Sequence, residues 1–543
     1  MCGIFYLHSS TREDKSVNET LQRIKHRGPD TTTVISNASS GETMAFHRLA
    51  INGSSGLANQ PMTLDGETYL LCNGEIYNHE ALQQKYQIKC TTGSDCEIIL
   101  HLFKKIGFYQ TVKELDGEFA IVLVTPDYVY AARDPYGVRA LYITNGYGSA
   151  LGIASECKAL NPLFTSESIE QFPSGHIMVW NKNKRSMDYT KPYYTHTHDI
   201  NDELSEEECT KKIRELLIGA VKKRMMCSRT TDTTTPAIGA YLSGGFDSSV
   251  IAAILQKELS EQTMPCKLET FSIGFIGSPD LHYARIVADF IGSNHHEVII
   301  TEEEALGALP DVIKAIESYD VTTVRASTMM YLLSKYIKEK SKVVVLLSGE
   351  GSDEASGSYR YFHNAPSDEE FHKESERLLK DLCYFDNLRA DKSSAAWGLE
   401  VRVPFLDLDF LQYYMTVPRA IKTQRGIEKY ALRKAMTGYL PDSVLWRPKE
   451  AMSDGVSVQE RSWSTIIQER ALNSWGYIKD GLEAEKALYL YYFNEHYTGC
   501  TKQIPYMWLP KWCGDVKDPS ARVLSCYNGK EGKGLPPASK ASL

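Results

Sequence analysis

The chain has 543 residues, of which 42% are hydrophobic and 24% are charged, a composition typical of globular proteins. The formal net charge of −9 disfavours a general binder of nucleic acid or of anionic membranes, because both partners require a basic surface. No stretch approaches the ~20 consecutive apolar residues of a membrane-spanning helix, and the N-terminus has no basic-then-apolar signal sequence. We therefore expect no nucleic-acid partner and no membrane partner, and the length predicts about two or three domains.

The 12 cysteines are scattered along the chain without any C-x-x-C pair. In a long chain without a signal sequence, this distribution predicts free thiols in a reducing compartment, and therefore a cytoplasmic location. The irregular spacing also argues against a structural zinc site, whose ligands usually come in closely spaced pairs.

Residues 2–190 are predicted to form a β-rich domain. Short β-branched or aromatic runs, such as "ETYLLCNGEIYN" and "GEFAIVLVT", are separated by Gly, Asn, Asp and Pro. One amphipathic helix, "DCEIILHLFKKIG", interrupts these runs. A succession of short strands of this kind favours packed antiparallel sheets.

Residues 191–206 are predicted to be a linker, because they are polar and lack periodicity. Near their end Ser205 and Glu208 have the spacing of a capping box, which predicts that a helix begins there. Beyond it, the strand-like runs "AIGAYL", "KLETFSIGF", "HHEVII" and "KVVVLL" alternate with helical stretches. That alternation predicts a parallel sheet covered on both faces, in a second domain over residues 207–520. Residues 521–543 are predicted to be a disordered tail.

The first strand of the second domain runs into "SGGFDSS" and then directly into a helix. Two adjacent glycines let the backbone approach a ligand, and the helix N-terminus presents free N–H groups to a phosphate. Asp247 can hold a divalent cation against the phosphates. A Gly-Gly turn with a helix cap is the alternative, but the strand–loop–helix context and Asp247 favour phosphate binding. The loop resembles the S-G-G-x-D-S pyrophosphate-binding loop of ATP pyrophosphatases that adenylate a carboxylate or carbonyl.

A second loop, "SGEGSDE", follows the strand "KVVVLL". Because ligands bind at the carboxyl ends of parallel strands, we expect both loops to lie at one edge of the sheet. Glu350 and Asp353 would then face the same ligand. Surface turn chemistry explains either acid alone, but not two such loops at equivalent strand ends.

A set of short motifs occurs in a fixed order along the chain. It consists of Cys2, "HRGPD", "HRLAI", "NGEIYN", "GSDCE", "SGGFDSS", "SGEGSDE", "WGLEVRVPFLD" and "RPKEAMSDGV". The ordered set is similar to that of the glutamine-hydrolysing asparagine synthetases, over about residues 2–515. This resemblance implies an α+β N-terminal-nucleophile (Ntn) glutaminase sandwich, followed by an α/β ATP-pyrophosphatase domain of the adenine nucleotide α-hydrolase-like type with a parallel sheet.

The resemblance also implies an activity, the ATP-dependent synthesis of L-asparagine from L-aspartate and L-glutamine. Glutamine would be hydrolysed at Cys2, and an internal channel would carry the ammonia to a β-aspartyl-AMP intermediate. The products would be asparagine, glutamate, AMP and pyrophosphate. ATP is then a substrate, Mg²⁺ is the implied metal ion, and a homodimer is compatible because family members often form dimers.

For the glutaminase half, the resemblance implies that removal of Met1 exposes Cys2 as a nucleophile. Its free α-amine has a pKa suited to general-base work near neutral pH. Asn73 and Gly74 would form the oxyanion hole, and Arg27 would have a structural or gating role near the nucleophile. The residues assigned to glutamine are Arg48 for the α-carboxylate, Glu75 and Asp95 for the α-amine, and Leu49, Ala50, Ile51, Asn52, Asn73 and Gly74 around them. Taken alone, Arg48 also fits a surface salt bridge, and Asn73-Gly74 a hairpin turn.

For the synthetase half, the resemblance assigns ATP binding to Leu242, Ser243, Gly244, Gly245, Asp247, Ser248, Ile273, Ser348 and Gly349. Asp247 and Asp353 would hold Mg²⁺, and Glu350 would act in forming and consuming the intermediate. The residues assigned to substrate or intermediate are Arg325, Arg389 and Lys449. Phe246 departs from the family pattern, which more often has a smaller aliphatic residue in this loop.

Several alternatives remain open from the sequence. An amidotransferase acting on a sugar phosphate would share the Cys2 half but lack "SGGFDSS". A relative that amidates a different carboxylate, or that closes a β-lactam or peptide, would keep the ATP half. A non-catalytic regulator that binds glutamine and ATP would be free to lose Cys2, Asp247 or Glu350, and all three are present. His295 and His296 offer metal ligands, but the start of an edge strand is favoured for them, because no partner ligand has a recognisable spacing.

Overall fold

The computed structural model describes residues 1–9, 14–37, 39–53, 55–144, 150–231, 237–262, 266–450, 452–458, 460–475 and 478–523. Most of the tail predicted to be disordered, residues 524–543, therefore lies outside the described residues. Among the described helices, none combines the length and apolar character needed to cross a bilayer.

The N-terminal half is built from two antiparallel sheets. The strands are β1 (Gly3–His8), β2 (Thr31–Asn37), β3 (Glu42–Arg48), β4 (Met62–Thr63), β5 (Tyr69–Ile76), β6 (Gly117–Val124), β7 (Tyr128–Arg133), β8 (Tyr142–Thr144), β9 (Leu151–Ala154), β10 (Ile169–Gln171), β11 (His176–Asn181) and β12 (Ser186–Pro192). The helices are α1 (Asp14–Gln22), α2 (His79–Tyr86), α3 (Glu97–Ile106) and α4 (Phe108–Glu114). The sheet orders are β10-β8-β9-β1-β3-β2 and β12-β11-β7-β6-β5-β4.

The predicted sandwich is confirmed, and β1 shows how one strand packs on two cores. All six residues of β1 are buried, because each face of the strand packs on a different core. Ile4 and Tyr6 pack between the two sheets, whereas Phe5 and Leu7 pack on the outside of the first sheet against the second half of the chain. The predicted amphipathic helix is α3, which packs on the other face of the second sheet.

The second half contains a five-stranded parallel sheet of order β15-β14-β13-β16-β17, as the alternating pattern predicts. The strands are β13 (Ile238–Tyr241), β14 (Glu269–Gly274), β15 (Asn294–Ile299), β16 (Val345–Leu347) and β17 (Glu400–Arg402). The first helices are α5 (Glu206–Lys223), α6 (Phe246–Ser260), α7 (Pro279–Ile291), α8 (Glu302–Ile316), α9 (Val321–Lys340), α10 (Ser352–Ser356), α11 (Asp368–Asp381) and α12 (Asp386–Ala395). The remaining helices are α13 (Leu408–Tyr414), α14 (Arg419–Lys422), α15 (Tyr430–Ala435), α16 (Asp442–Leu445), α17 (Met452–Gly455), α18 (Trp463–Ser474) and α19 (Gly481–Tyr497).

The structure refines the predicted segments at three places. Strand β12 extends through Pro192, two residues into the predicted linker. Helix α5 begins where the capping box predicts, with Ser205 at its N-cap and reciprocal bonds to Glu208. At the start of the predicted disordered tail, Ala521–Val523 form a short helical turn instead. Arg522 in this turn donates to Glu450 and to the Asp454 carbonyl on a distant loop.

His295 and His296 lie in the edge strand β15, as favoured from the sequence. The two ring nitrogens of His295 lie 3.0 Å from the hydroxyls of Thr270 and Ser272 on the neighbouring strand. His296 stacks on Phe271. Both rings are therefore engaged in sheet contacts.

The two halves meet across a buried layer of ion pairs. Arg27 lies 2.8 Å from Glu156 of its own half and 2.8 Å from Asp391 of the other half. Arg224 likewise bonds Glu118 of the first half at 2.8 Å. These side chains are almost inaccessible to solvent, so each charge depends on its partner across the boundary.

Candidate active sites

Cys2 lies at the start of β1, between β5 and the loop after β3. Its backbone N–H donates to Asn73 Oδ1 at 2.8 Å, and its Sγ accepts from the Leu49 N–H at 3.4 Å. Arg27 Nε donates to the Cys2 carbonyl at 2.8 Å, which fixes the backbone of the residue. Burial raises the pKa of the Cys2 thiol to about 11, so the thiol needs a nearby base to act as a nucleophile.

Met1 occupies a buried slot against the second half of the chain. Its ammonium donates to the Leu399 carbonyl at 3.2 Å and lies 4.0 Å from the Glu400 carboxylate. Burial lowers the pKa of this ammonium to about 6. Removal of Met1 would transfer the free α-amine to Cys2, whose nitrogen already lies beside Asn73.

Asn73 and Gly74 are in the middle of β5, paired with Ala120 and Phe119 of β6, and not in a hairpin turn. Asn73 Oδ1 is used by the Cys2 amide, and Asn73 Nδ2 is buried without a hydrogen-bond partner among the described residues. A buried amide donor without a partner is costly unless a ligand supplies the acceptor. Position 74 requires glycine, because a Cβ there would lie 2.1 Å from the Glu118 carbonyl.

Arg48 is held by neutral acceptors. Its Nη1 donates to Asn59 Oδ1 at 2.8 Å, and its Nη2 donates to the carbonyls of Asn52, at 3.0 Å, and Gly53. None of the ion pairs among the described residues includes Arg48, so the surface salt bridge is not formed. Arg48 is 7% exposed, and a guanidinium with only neutral acceptors around it suits an anionic ligand.

Glu75 and Asp95 bring two buried carboxyl groups to the same region. Asn52 Nδ2 donates to Glu75 Oε2 at 2.6 Å, and Asp95 Oδ2 accepts from the Ile76 N–H at 2.8 Å. Burial and the repulsion from Asp95 raise the pKa of Glu75 well above its ordinary value, and burial raises the pKa of Asp95. Two acids in this state favour binding of a cationic group such as an α-ammonium.

The loop that carries Leu49, Ala50, Ile51 and Asn52 lies against the second half of the chain. The Ile51 carbonyl accepts from the Ser228 hydroxyl at 2.9 Å and from the Arg229 N–H at 3.0 Å. The Ala50 N–H donates to Asp30 at 2.8 Å. This loop is therefore a contact between the two halves as well as a wall beside Cys2.

The two glycine loops of the second half meet at one edge of the sheet, as expected from the strand order. A Cβ at Gly349 would lie 2.9 Å from the Asp247 Cβ and 3.0 Å from the Ser248 N, so the loops are in contact. Gly244 has a φ of +71°, and a Cβ there would lie 2.4 Å from the Ala284 N. Ser243 and Ser248 join their hydroxyls at 3.0 Å, which shapes the loop before α6.

A cavity of about 220 Å³ opens at this edge. The predicted residues that line it are Leu242, Ser243, Gly245, Asp247, Ser248, Ile273, Arg325, Ser348, Gly349, Glu350, Asp353, Arg389 and Lys449. Gly244 alone of the predicted set is not part of the lining. It supports the loop from behind.

Two acids and two lysines form a compact cluster at the cavity. Lys429 Nζ lies 2.6 Å from Asp247 Oδ1 and 2.6 Å from Asp353 Oδ1, and Lys449 also bonds Asp353. Burial alone would raise the pKa of Asp353, but the two ammonium groups hold it below its ordinary value. The carboxylates thus converge on one cation, an arrangement that also fits a divalent metal ion with oxygen ligands.

Glu350 lies at the same edge with a cationic neighbour. Its Oε1 is 3.3 Å from Arg389, and its Oε2 accepts from the Ser348 hydroxyl. Arg389 also bonds Asp386 at 2.5 Å. Glu350 is consequently held in one orientation at the mouth of the cavity.

Comparison with known proteins shows what this pair of sites resembles. The glutamine amidotransferase domain family matches residues 1–186, and the asparagine synthase family matches residues 212–370 and 364–503. The glutamine-hydrolysing asparagine synthetase of Rattus norvegicus is 41% identical over 567 residues, covering 97% of this chain and 99% of that protein. The chain belongs to the asparagine synthase family.

Further relatives agree with the asparagine synthase assignment. The protein of the same name from Gallus gallus is 41% identical over 572 residues, covering 97% of this chain and 99% of its own length. Among solved structures, a glutamine phosphoribosylpyrophosphate amidotransferase from B. subtilis is 16% identical with a TM-score of 0.31, covering 55% of this chain and 81% of that chain. That structural likeness is too distant to bear on this chain. The amidotransferase and synthase domains agree with the antiparallel sandwich and the parallel sheet described above, so the predicted fold class is confirmed.

Lys429 is a site residue of this asparagine synthase that the sequence motifs miss. It stands in the run "GIEKY", which has no glycine-rich or phosphate-loop signature. The only local signal appears in the structure, where Lys429 has a φ of +59°, a strained conformation for a residue with a side chain. Strain of this kind is typical of residues held in place for a function.

Arg325 is in the cavity wall, but its guanidinium is already occupied. It bonds Glu485 at 2.8 and 2.6 Å and Asp518 at 2.8 and 2.9 Å. Both carboxylates come from the C-terminal part of the synthase domain, where no motif indicates them. The structure therefore gives Arg325 a role in shaping the wall.

Two departures from common patterns have simple packing explanations. Phe246 is buried, and its ring lies 5.0 Å from the Arg433 guanidinium, so the larger side chain fills the domain core.

Cys90, Glu97 and His101 bring potential metal ligands within 4.8 Å of one another. Glu97, however, already accepts hydrogen bonds from the backbone amides and hydroxyls of Thr91 and Thr92. The Glu97 carboxylate therefore caps this loop, which explains the cluster without a metal ion.

Proposed function

We propose that this chain catalyses the ATP-dependent synthesis of L-asparagine from L-aspartate and L-glutamine, as a carbon–nitrogen ligase that takes its amide nitrogen from glutamine. The observation that carries the proposal is the presence of both sites in one chain. Cys2 lies beside Asn73, whose Nδ2 has no hydrogen-bond partner among the described residues, and a carboxylate–lysine cluster lies at the edge of a parallel sheet. The relatives that are 41% identical to this chain are glutamine-hydrolysing asparagine synthetases, which supports the proposal.

In the glutaminase half, Cys2 Sγ attacks the side-chain amide carbon of glutamine after Met1 is removed. The Cys2 α-amine takes the thiol proton and delivers it to the departing ammonia. Asn73 Nδ2 and the Gly74 N–H stabilise the oxyanion, and water then hydrolyses the thioester to glutamate. Arg48 binds the α-carboxylate, since it is a buried cation that makes no ion pair with a described residue.

The same half positions the remaining parts of glutamine. Glu75 and Asp95 bind the α-ammonium, because it neutralises two acids that repel each other. Leu49, Ala50, Ile51 and Asn52 form the wall, and Asn52 orients Glu75 through its bond at 2.6 Å.

In the synthetase half, the ATP phosphates bind on Ser243, Gly244, Gly245, Asp247 and Ser248, at the N-terminus of α6. Leu242, Ile273, Ser348 and Gly349 surround the adenosine. A carboxylate oxygen of aspartate attacks the α-phosphorus, which gives β-aspartyl-AMP and releases pyrophosphate. Lys449 and Lys429 neutralise charge on the phosphates, and Arg389 holds the substrate or the intermediate.

Asp247 and Asp353 would hold Mg²⁺, because their carboxylates converge on one cation position. When bound, the ion would neutralise charge on the phosphates. Glu350 accepts a proton as ammonia attacks the acyl-adenylate and AMP leaves. Its partners Arg389 and Ser348 keep this carboxylate aimed at the cavity.

A product assay tests the proposal. Purified protein is mixed with ATP, Mg²⁺, glutamine and aspartate, and the nucleotides and amino acids are identified. Asparagine with glutamate, AMP and pyrophosphate supports both halves together. AMP and pyrophosphate that appear only with another acceptor would indicate a relative that amidates a different carboxylate. ADP and phosphate would refute the adenylation mechanism, and binding of glutamine and ATP without turnover would indicate a regulator.

Small molecules are the partners that follow from this function. The homodimer and the cytoplasmic location stay predictions. Size-exclusion chromatography with light scattering measures the first, and fractionation of the source cells measures the second.

A further inference from the structure

We propose that residues 518–522 belong to the synthetase site and that Arg522 is a positioning residue for Lys449. The proposal rests on the proposed function, in which Lys449 is the cation beside the reacting phosphates. Sequence patterns predict disorder from residue 521 onward, whereas the structure shows a segment with a specific set of bonds. We call residues 518–522 the C-terminal strap.

Arg522 holds together the loop that follows Lys449. Its guanidinium donates to one carboxylate and three carbonyls, namely Glu450 Oε1 at 2.8 Å, Asp454 O at 2.6 Å, Ser457 O at 3.2 Å and Val458 O at 3.3 Å. The Arg522 side chain is only 10% exposed, so water competes weakly for these acceptors. A single planar guanidinium therefore fixes Glu450 together with Asp454, Ser457 and Val458.

The loop is held on its other side by Arg447. This guanidinium donates to the Gly244 carbonyl at 3.0 Å and lies 3.1 Å from Asp280 and 3.2 Å from Glu450. Glu450, the residue directly after Lys449, is thus clamped between two guanidinium groups. Loss of one clamp leaves a partly buried carboxylate and several carbonyls short of donors, and they would shift to find water. Such a shift moves the Lys449 ammonium relative to Asp353.

The rest of the C-terminal strap closes the cavity. Pro519, Ser520 and Ala521 line it, and the Ser520 hydroxyl donates to Asp454 Oδ1 at 2.9 Å. Asp518 supplies one of the two carboxylates on Arg325. Exclusion of water strengthens the attraction between the lysines and a bound phosphate. The strap is therefore both a wall of the site and a brace for its loop.

Two truncations of the full chain test the strap. A chain ending after Val523 loses only residues 524–543 and keeps every bond named above, so it should retain the wild-type rate of ammonia-dependent asparagine synthesis. A chain ending after Lys517 loses the strap. Its kcat/KM for ATP should fall about tenfold to a hundredfold, the usual cost of a misplaced catalytic group. Glutamine hydrolysis, which takes place in the other domain, should keep its rate in both.

Point variants test Arg522 itself. Arg522→Ala should lower kcat/KM for ATP and leave glutamine hydrolysis unchanged, and Arg522→Lys should restore only part of the loss, because an ammonium cannot bond all four acceptors. Arg461→Ala is the matched control. Arg461 also bonds two carboxylates, Glu302 and Glu469, but it is on the surface with a side chain 47% exposed. It should leave both activities unchanged.

The outcomes separate a positioning role from general stability and from the proposed function. Wild-type ATP kinetics after truncation at Lys517 would overturn the proposal. A parallel fall of glutamine hydrolysis and synthesis in both Arg522 variants would also overturn it, since unfolding affects both domains together. If the wild-type protein itself forms no AMP and pyrophosphate from ATP and aspartate with ammonia, the proposed function fails, and Arg522 then has no reaction to support.

Discussion

Asn73 offers the sharpest test of the glutaminase half, because its two side-chain atoms have separate tasks in the structure. Oδ1 accepts from the Cys2 nitrogen at 2.8 Å, while Nδ2 is buried without a partner in the described part of the chain. Asn73→Ala removes both atoms. Loss of one oxyanion donor typically lowers kcat about 10²- to 10³-fold, or ~3–4 kcal/mol in the barrier. Asn73→Asp keeps an acceptor for Cys2 but puts an oxygen where the donor was.

The assay is glutamine hydrolysis followed by glutamate release, with ammonia-dependent asparagine synthesis measured in parallel as the control. If Nδ2 is the oxyanion donor, both variants lose hydrolysis, Asn73→Asp at least as strongly as Asn73→Ala, because an acceptor faces the developing negative charge. Both keep ammonia-dependent synthesis. Near-normal hydrolysis by Asn73→Asp would refute the reasoning, since it would mean that Asn73 serves only to hold the Cys2 nitrogen through Oδ1.

Four further outcomes are expected. Cys2→Ala should abolish asparagine synthesis from glutamine and spare synthesis from ammonia; loss of both would contradict two separate sites. Glu350→Ala should leave glutamine hydrolysis intact and abolish asparagine synthesis, whereas retained synthesis would indicate that Glu350 is only a turn residue. Lys429→Met should lower kcat/KM for ATP by at least about tenfold, because it removes a buried cation at the proposed phosphate site. An unchanged kcat/KM would mean that Lys429 only neutralises Asp247 and Asp353 when no ligand is bound. Burial lowers the pKa of Lys422 from 10.5 to about 7, so the folded state binds fewer protons than the unfolded state between these values and the free energy of unfolding rises with pH there. Between pH 7 and pH 8.5, the change in unfolding free energy measured with urea should be more favourable in the wild type than in Lys422→Met by about 2 kcal/mol, and an equal change in the two proteins would exclude this contribution of Lys422.

Local patterns in the sequence predict the fold well, because they report on burial and on backbone conformation. The short β-branched and aromatic runs predict the strands of the sandwich, and the capping box at Ser205 marks the start of α5 correctly. Gly349 marks the place where the two loops touch, and Gly244 marks the close approach of the first loop to α7. Each of these signals lies within a few residues of the feature that it predicts.

The parts that sequence does not predict depend on partners far apart in the chain. Lys429 reaches Asp247 across 182 positions, and Arg325 meets Glu485 across 160. From sequence alone, a long cationic side chain is interpreted as a solvated surface residue, because its buried partner is not known. The same holds for Arg522, whose polar and glycine-containing surroundings suggest disorder although its own bonds do not.

The ion pairs between the two halves restrict how this enzyme can be taken apart. Glu75, in the proposed glutamine site, lies 3.1 Å from Arg402, a residue of β17 whose own carbonyl accepts from the Ser348 N–H in the proposed ATP-binding loop. A glutaminase fragment cut at the linker would carry Glu75 and Glu118 without Arg402 and Arg224, and would expose to water an interface that is buried in the full chain. Joining this glutaminase to a new acceptor domain would therefore require the graft to bring Arg402 and Arg224 with it. The boundary visible in the sequence is a point of covalent connection, and the functional module is the whole chain.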